Sequence, residues 1–153
     1  MDHSQVITTH AKNLLKQTGF TDSVLVQSQY DPQADNYQVL LETPEPGLLI
    51  GFHGETLSAY QLILSLHLHS ELSEWLNLSV NINDYRQRRE SAVFALADST
   101  AAKVVATSQA HSLPPMPSLE RRLVHMRLAE HPGVSTASEG IGRNRSVIVS
   151  PKS

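Results

Sequence analysis

The sequence predicts an α+β protein made of two consecutive small halves. Helical and strand-like patterns alternate along its 153 residues, and the charge changes sign near residue 84. Residues 1–84 carry two basic and ten acidic side chains, a formal charge of −8, whereas residues 85–153 carry ten basic and five acidic ones, a charge of +5. We therefore expect one domain over residues 1–84 and a second over 85–153, with any polyanionic partner drawn to the second.

The first half reads as helix–strand–strand–helix–helix–strand, from apolar spacing and turn residues. The pattern predicts a helix ending near Gly19, strands over 23–29 and 37–42, a helical turn at 48–50, a helix over 56–72 and a strand over 76–82. The 56–72 helix is apolar on more than one face. One face is expected to cover the sheet. The other, with Leu62, Ile63 and Leu66, is expected to need a second partner, either the C-terminal half or another protein.

The second half reads as helix–helix–strand–strand. A long helix over 85–107 is expected to begin after Asp84 as N-cap, and a second helix over 118–130 to be capped by Ser118. A proline-rich connection joins them, and strands at 134–138 and 145–149 are expected to form a terminal hairpin. The inner stripe of the long helix is predicted to be Val93, Leu96, Ala97, Thr100, Ala101, Val104 and Val105.

Composition excludes several classes of protein and site. Zero cysteines exclude disulfides, thiolate metal sites and cysteine nucleophiles. No apolar run approaches the ~18 residues that a membrane helix needs, and the first ten residues lack the apolar core of a signal peptide. We therefore expect a cytoplasmic protein without membrane insertion. No histidine set has metal-ligand spacing and no Gly-x-Ser-x-Gly elbow occurs, so neither a metal, a cofactor nor an enzymatic activity is predicted.

Two glycines three residues apart, Gly51 and Gly54, join the short helical turn to the long helix of the first half. Such a loop lets a nucleic-acid backbone approach closely, next to the positive end of a helix dipole. Phe52 could stack on a base and His53 could donate to a phosphate. With the order of elements around it, the αββααβ half resembles a type II KH domain, whose corresponding loop clamps single-stranded nucleic acid. A purely structural turn is the alternative.

Arg121 and His125 lie four residues apart on one face of a predicted helix. Arginine offers a permanent charge and a planar fork for phosphate, and histidine a hydrogen bond and an aromatic ring. The surrounding residues, Tyr85-Arg86, Arg88-Arg89-Glu90, Glu120-Arg121-Arg122, Gly133-Val134, Thr136, Ser138 and Arg145, resemble the R-three-H (Arg-x-x-x-His) domain, a small αα-plus-β-hairpin unit that binds single-stranded DNA or RNA. We expect the contact surface to comprise Arg121, His125, Arg122, Arg86, Arg89, Arg143 and Arg145.

A KH-like half followed directly by an R-three-H half resembles the bacterial Jag (SpoIIIJ-associated) family. The resemblance implies a non-catalytic RNA-binding regulator linked to cell elongation and division, often acting with a separate small KH protein. Two alternatives remain. The KH-like half could be a protein-interaction adaptor that no longer binds nucleic acid, or His125 and Glu120 could serve a nuclease, although the basic half shows no carboxylate cluster for a metal.

Overall fold

The computed structural model describes residues 2–20 and 23–152 and divides the chain into two compact units, Met1–Arg86 and Gln87–Ser153. Both units combine helices with a three-stranded sheet, which confirms the predicted α+β class. The sequence-based boundary after Asp84 falls two residues before the division between the units. Met1 and Ser153, the outer ends of the two predicted domains, lie outside the described residues.

The first unit has the predicted order of helix–strand–strand–helix–helix–strand, with a short 3-10 turn before the long helix. Its elements are α1 (Ser4–Gln17), β1 (Leu25–Asp31), β2 (Asn36–Glu42), α2 (Gly47–Ile50), the 3-10 turn Phe52–Gly54, α3 (Glu55–Leu72) and β3 (Leu78–Ile82). The observed β3 begins two residues later than the alternating pattern predicts, because Leu76 and Asn77 precede its pairing with β2.

The sheet of the first unit has the strand order β1-β2-β3. β1 and β2 are antiparallel, and β2 and β3 are parallel. The register places Val26 opposite Leu41, and Val39 opposite Val80, so alternate side chains form one apolar face. α1 and α3 pack on that face, and the buried Tyr60 of α3 donates a hydrogen bond of 2.8 Å to the carbonyl oxygen of Ala11 in α1.

Only one apolar face of α3 is covered within the first unit. Leu57, Tyr60, Leu64 and Leu68 are buried against the sheet and α1. Leu62, Ile63 and Leu66 are 60%, 41% and 49% exposed. The two-faced pattern of the sequence is therefore confirmed, and the second face is exposed in this chain.

The second unit contains α4 (Tyr85–Thr107), whose first two residues belong to the first unit, and α5 (Ser118–Leu128). Its sheet has the order β4-β6-β5, built from β4 (His111–Ser112), β5 (Val134–Glu139) and β6 (Ser146–Pro151), with antiparallel pairing throughout. The predicted hairpin is confirmed as β5 and β6. The two-residue β4 was not predicted, because a strand this short leaves no alternating pattern in the sequence.

The core of the second unit is formed by buried residues of both helices and all three strands or their flanks. They are Val93, Ala97, Ala101, Val104, Leu113, Met116, Val124, Leu128, Val134, Val147 and Val149. The expected inner stripe of α4 is confirmed for Val93, Ala97, Thr100, Ala101 and Val104. Leu96 is only partly buried, and Val105 is 53% exposed, so its assignment to the stripe is wrong: it directly follows Val104, and a one-residue step turns the side chain by about 100°.

The predicted N-caps Asp84 and Ser118 are both wrong. At the start of α4, the amide of Arg86 donates to Oδ1 of Asn81 at 3.1 Å, and Asp84 has a positive φ of 58°. At the start of α5, Pro117 occupies the N-cap position and no side chain bonds to the helix amides. Within the part of the chain that the structure describes, no helix is long and apolar enough to span a membrane.

Candidate nucleic-acid interface

α5 carries Arg121 and His125 at the margin of its buried face. Glu120, Val124 and Leu128 recur every four residues and are buried, which fixes the rotation of the helix. Arg121 and His125 each follow one of these buried residues, so they share a neighbouring face and are both partly exposed. The predicted Arg–His pair therefore lies on one surface of the second unit.

The imidazole of His125 is hydrogen-bonded through both of its nitrogens. Nδ1 lies 2.7 Å from Oγ1 of Thr136, and Nε2 lies 2.8 Å from Oγ of Ser138. These two hydroxyls belong to β5 and are one alternation apart, on the face that also buries Val134. Partial burial, and second the positive charge of Arg121, lower the pKa of His125 below its ordinary value.

The backbone of Met116 links Arg121 to Arg145. Nε of Arg121 donates to the Met116 carbonyl oxygen at 3.2 Å, and the Met116 amide donates to the Arg145 carbonyl oxygen at 3.1 Å. Met116 itself is buried. This connection brings the side chain of Arg121 next to the start of β6, two residues from the Gly142–Asn144 turn that contains Arg143.

The other predicted arginines of the second unit differ in their surroundings. Arg122, Arg143 and Arg145 are exposed. Arg89 is engaged inside the protein: its Nε and Nη2 donate to Oε1 and Oε2 of Glu120 at 2.6 and 2.9 Å. Glu120 is buried, so this bidentate ion pair joins α4 to α5 beneath the surface that carries Arg121.

Arg86 is the last residue of the first unit, and its guanidinium is hydrogen-bonded to other residues of that unit. Its Nε donates to the carbonyl oxygen of Val80 at 2.7 Å, and its Nη2 donates to Oε1 of Gln61 at 2.9 Å. Burial lowers the pKa of Arg86 from its ordinary value. Its guanidinium thus joins the beginning of α4 to β3 and α3.

The glycine loop of the first unit has the backbone that only glycine adopts easily. Gly51 has a φ of 70° and Gly54 a φ of 81°, and between them His53 also has a positive φ of 51°. A Cβ atom on Gly51 would lie 2.1 Å from Oγ1 of Thr56. Phe52 is 62% exposed, and its ring centroid lies 4.2 Å from that of His53. The loop therefore presents an aromatic pair at the start of α3.

Comparison with known proteins identifies both the second unit and the relatives of the chain. A family model described as the R3H domain matches residues 92–151. RNA-binding protein KhpB of Lactiplantibacillus plantarum is 41% identical over 108 residues, which are 71% of this chain and 34% of that protein. This chain belongs to the Jag family.

Other KhpB proteins agree with this assignment of the Jag-family chain. RNA-binding protein KhpB of Streptococcus pneumoniae serotype 2 is 32% identical over 124 residues, 81% of this chain and 37% of that protein. RNA-binding protein KhpB of Clostridium symbiosum is 33% identical over 130 residues, 85% of this chain and 59% of that protein. The chain thus spans between 34% and 59% of the length of these relatives.

Sequence reasoning on this Jag-family chain left two site features unassigned. Thr136 and Ser138 were named only as part of the family pattern. In the strand they alternate with the exposed Ser135 and Ala137, and this alternation indicates that they face α5. The partner of Arg89 was also missed, because Glu120 is 31 residues away in sequence. Among residues 2–20 and 23–152, no three His, Asp or Glu side chains cluster in a way that could hold a metal ion.

Proposed function

We propose that the second unit binds single-stranded RNA, without cleaving it, on the surface that carries Arg121, His125, Arg122, Arg143 and Arg145. The observation that carries the proposal is the arrangement around Met116, which holds Arg121 beside the start of β6 while leaving its terminal guanidinium nitrogens available. A guanidinium fork with two donors matches a phosphate group, which every nucleotide of a strand supplies.

The distribution of charge supports a polyanionic ligand. The residues from 85 onward carry a formal charge of +5, and two of their five acidic side chains, Asp98 and Glu120, already pair with Arg127 and Arg89. Outside these two pairs, this part of the chain holds eight basic and three acidic side chains. Exposure favours Arg122, Arg143 and Arg145 as contacts over Arg86 and Arg89, which are only partly exposed and which donate hydrogen bonds to Val80 and Gln61 and to Glu120 respectively.

RNA, rather than DNA, is supported by the name that the KhpB relatives share. A non-catalytic role is supported by the R3H-domain match and by the RNA-binding names of these relatives. The same relatives support a cytoplasmic location, where the RNA of a bacterium is made and translated. A part in regulating cell elongation and division is proposed on the family resemblance.

The experiment is a binding titration of the whole chain with single-stranded RNA over a series of salt concentrations. Changing Arg121→Ala together with His125→Ala is expected to weaken binding by ~1–3 kcal/mol and to flatten the salt dependence. Lys103→Ala, which removes one exposed cation from α4, is the charge-matched control and should bind nearly as the wild type does. Unchanged affinity in the double variant would remove this surface from the proposal.

The glycine loop is proposed as an auxiliary clamp in the first unit. Its positive φ values and the exposed Phe52 support a close approach to a nucleic-acid strand, whereas the charge of −8 over residues 1–84 opposes strong binding. Replacing both Phe52 and His53 by alanine in the whole chain is expected to weaken RNA binding less than the Arg121 and His125 double variant does. An equal or larger loss would make the loop the principal site.

A second candidate function, a protein-interaction adaptor, is favoured by the exposed apolar face of α3. Leu62, Ile63 and Leu66 lie on an otherwise acidic unit, and the family resemblance suggests a small KH-domain protein as the partner. Light scattering after size exclusion, with and without such a protein, tests this function. Leu62→Glu with Leu66→Glu should abolish complex formation and leave RNA binding by the second unit intact.

A further inference from the structure

The imidazole of His125 has no nitrogen left for a ligand. Its bonds to Thr136 and Ser138, at 2.7 and 2.8 Å, have the length of full hydrogen bonds. A phosphate oxygen could bond to the ring only by displacing one of these hydroxyls. In the arrangement observed, the ring therefore offers a strand only its C–H edge and its face.

The two hydroxyls are the donors that a ligand meets, and their number depends on the charge of His125. A neutral imidazole has one N–H and one acceptor nitrogen. One hydroxyl oxygen therefore accepts a hydrogen bond from the ring N–H, while the other hydroxyl donates its O–H to the acceptor nitrogen. A protonated imidazolium donates to both oxygens. Both Thr136 and Ser138 then keep their O–H groups for a ligand.

The surroundings of these hydroxyls suit a phosphate. Thr136 and Ser138 are half-buried, and within the described residues their hydroxyls bond to His125 alone. Arg121, one helical turn before His125, lies close enough for its charge to act on the imidazole. A guanidinium fork and two hydroxyl groups thus border one surface, and both groups are common phosphate ligands in nucleic-acid complexes.

We propose that one phosphodiester group of the RNA is bound jointly by Arg121 and by the hydroxyls of Thr136 and Ser138, and that His125 is a positioning residue that aims these hydroxyls. The inference rests on the proposed RNA binding by this unit and adds two contact residues to it. Because protonation of His125 adds a charge and frees a second O–H donor, RNA binds more tightly as the pH falls through the titration of His125. By linkage, RNA binding takes up protons in that range.

Few other charged groups face His125 from the elements around it. β6 has no charged residue, and Glu139 of β5 alternates to the opposite face from Thr136 and Ser138. On α4, Arg89 and Asp98 are each paired with a residue of α5 other than His125. Arg121 is therefore the charge that opposes protonation of His125 in the free protein, and a bound phosphate would offset it.

The experiment measures binding of the whole chain to a fluorescein-labelled, uridine-rich single-stranded RNA by fluorescence anisotropy, at about pH 5.5 and about pH 8. Thr136→Val and Ser138→Ala each remove one hydroxyl and are expected to weaken binding about tenfold at the lower pH and to reduce the pH dependence. Ser135→Ala, on the opposite face of the same strand, is the matched control and should bind as the wild type does. Thr136→Ser, which keeps a hydroxyl, should retain wild-type affinity.

A double-mutant cycle separates positioning from direct contact. If His125 acts through Ser138, removing the Ser138 hydroxyl in a His125→Ala background changes affinity by less than about twofold. A tenfold loss in both backgrounds would overturn the inference.

The failure of the inference and that of the proposed function are distinguishable. Wild-type binding that Thr136→Val and Ser138→Ala leave unchanged at both pH values would overturn the inference while RNA binding stands. A wild-type chain that binds no RNA at either pH would overturn both. If Thr136→Val or Ser138→Ala does not fold, Thr136→Ser and Ser138→Thr are measured instead. Both of these variants keep a hydroxyl, so a loss of RNA affinity in both would contradict the inference.

Discussion

Removing the guanidinium of Arg89 is expected to destabilise the second unit by about 2–3 kcal/mol. Breaking a fully buried ion pair by deleting one partner costs about 3–5 kcal/mol, because the other charge is left buried and uncompensated. Here the side chain of Glu120 is 7% exposed but that of Arg89 is 33% exposed. Water can therefore reach the carboxylate in part once the arginine is gone, which places the cost of Arg89→Ala at or just below the lower end of that range.

The assay is urea denaturation of the whole chain followed by two-dimensional NMR, in which the amides of Val147 and Val149 report the second unit. Replacing both partners, as Arg89→Met with Glu120→Leu, should recover most of the lost stability, because an apolar pair of similar size leaves no buried charge. The same double variant tests Arg89 as an RNA contact, since wild-type affinity in it would limit Arg89 to a structural role.

The result that would refute this reasoning is specific. A loss of less than about 1 kcal/mol in Arg89→Ala would mean that the pair behaves as an exposed one. A double variant no more stable than Arg89→Ala would mean that the cost does not come from the uncompensated carboxylate. Arg127→Ala provides the comparison, because its pair with Asp98 is 48% exposed on both sides and should contribute ~0–1 kcal/mol.

Three further predictions concern the loop and the titrating groups. Gly51→Ala should destabilise the first unit by about 1–3 kcal/mol, because its φ is positive and the new Cβ would meet Thr56. Denaturation followed by the fluorescence of Trp75 measures this loss. Gly47→Ala, with open space around it, should have little effect, and equal losses in the two variants would contradict the backbone argument. The pKa of Asp98 is lowered by its hydrogen bonds to Arg127. This pair therefore adds stability that is present above the ordinary pKa near 3.8 and is lost as the pH falls through the lowered value. Titration by NMR should show the pKa of Asp98 rising in Arg127→Ala, and an unchanged value would refute the pairing in solution. The pKa of His125 is lowered in the folded chain, so the unfolded chain binds more protons below about pH 6.5. The free energy of unfolding should therefore increase with pH through that range, and His125→Gln should remove this dependence. A dependence of the opposite sign in the wild type would contradict the burial of the ring.

Local patterns in the sequence were enough for the order of the longer helices and strands in both units, although not for the two-residue β4. The alternation before residue 83 predicted β3, and the Arg121–His125 spacing predicted a shared helical face. The two-faced apolar pattern predicted a helix with one face on the sheet and a second face, with Leu62, that needs another partner. Each of these depends on residues within two turns of helix or one strand of each other. Side-chain direction over such short distances follows from backbone geometry alone.

Partnerships between distant residues became evident only in the folded chain. The amino-acid order contains Arg89, Arg121 and His125 as similar polar residues of one basic half, and it does not say which is bonded inside the protein. Packing pairs Arg89 with Glu120 across 31 residues and places Thr136 and Ser138 against both nitrogens of His125. These pairings arise because a buried polar group must find a partner, and the nearest one is set by how helices and strands pack rather than by spacing along the chain.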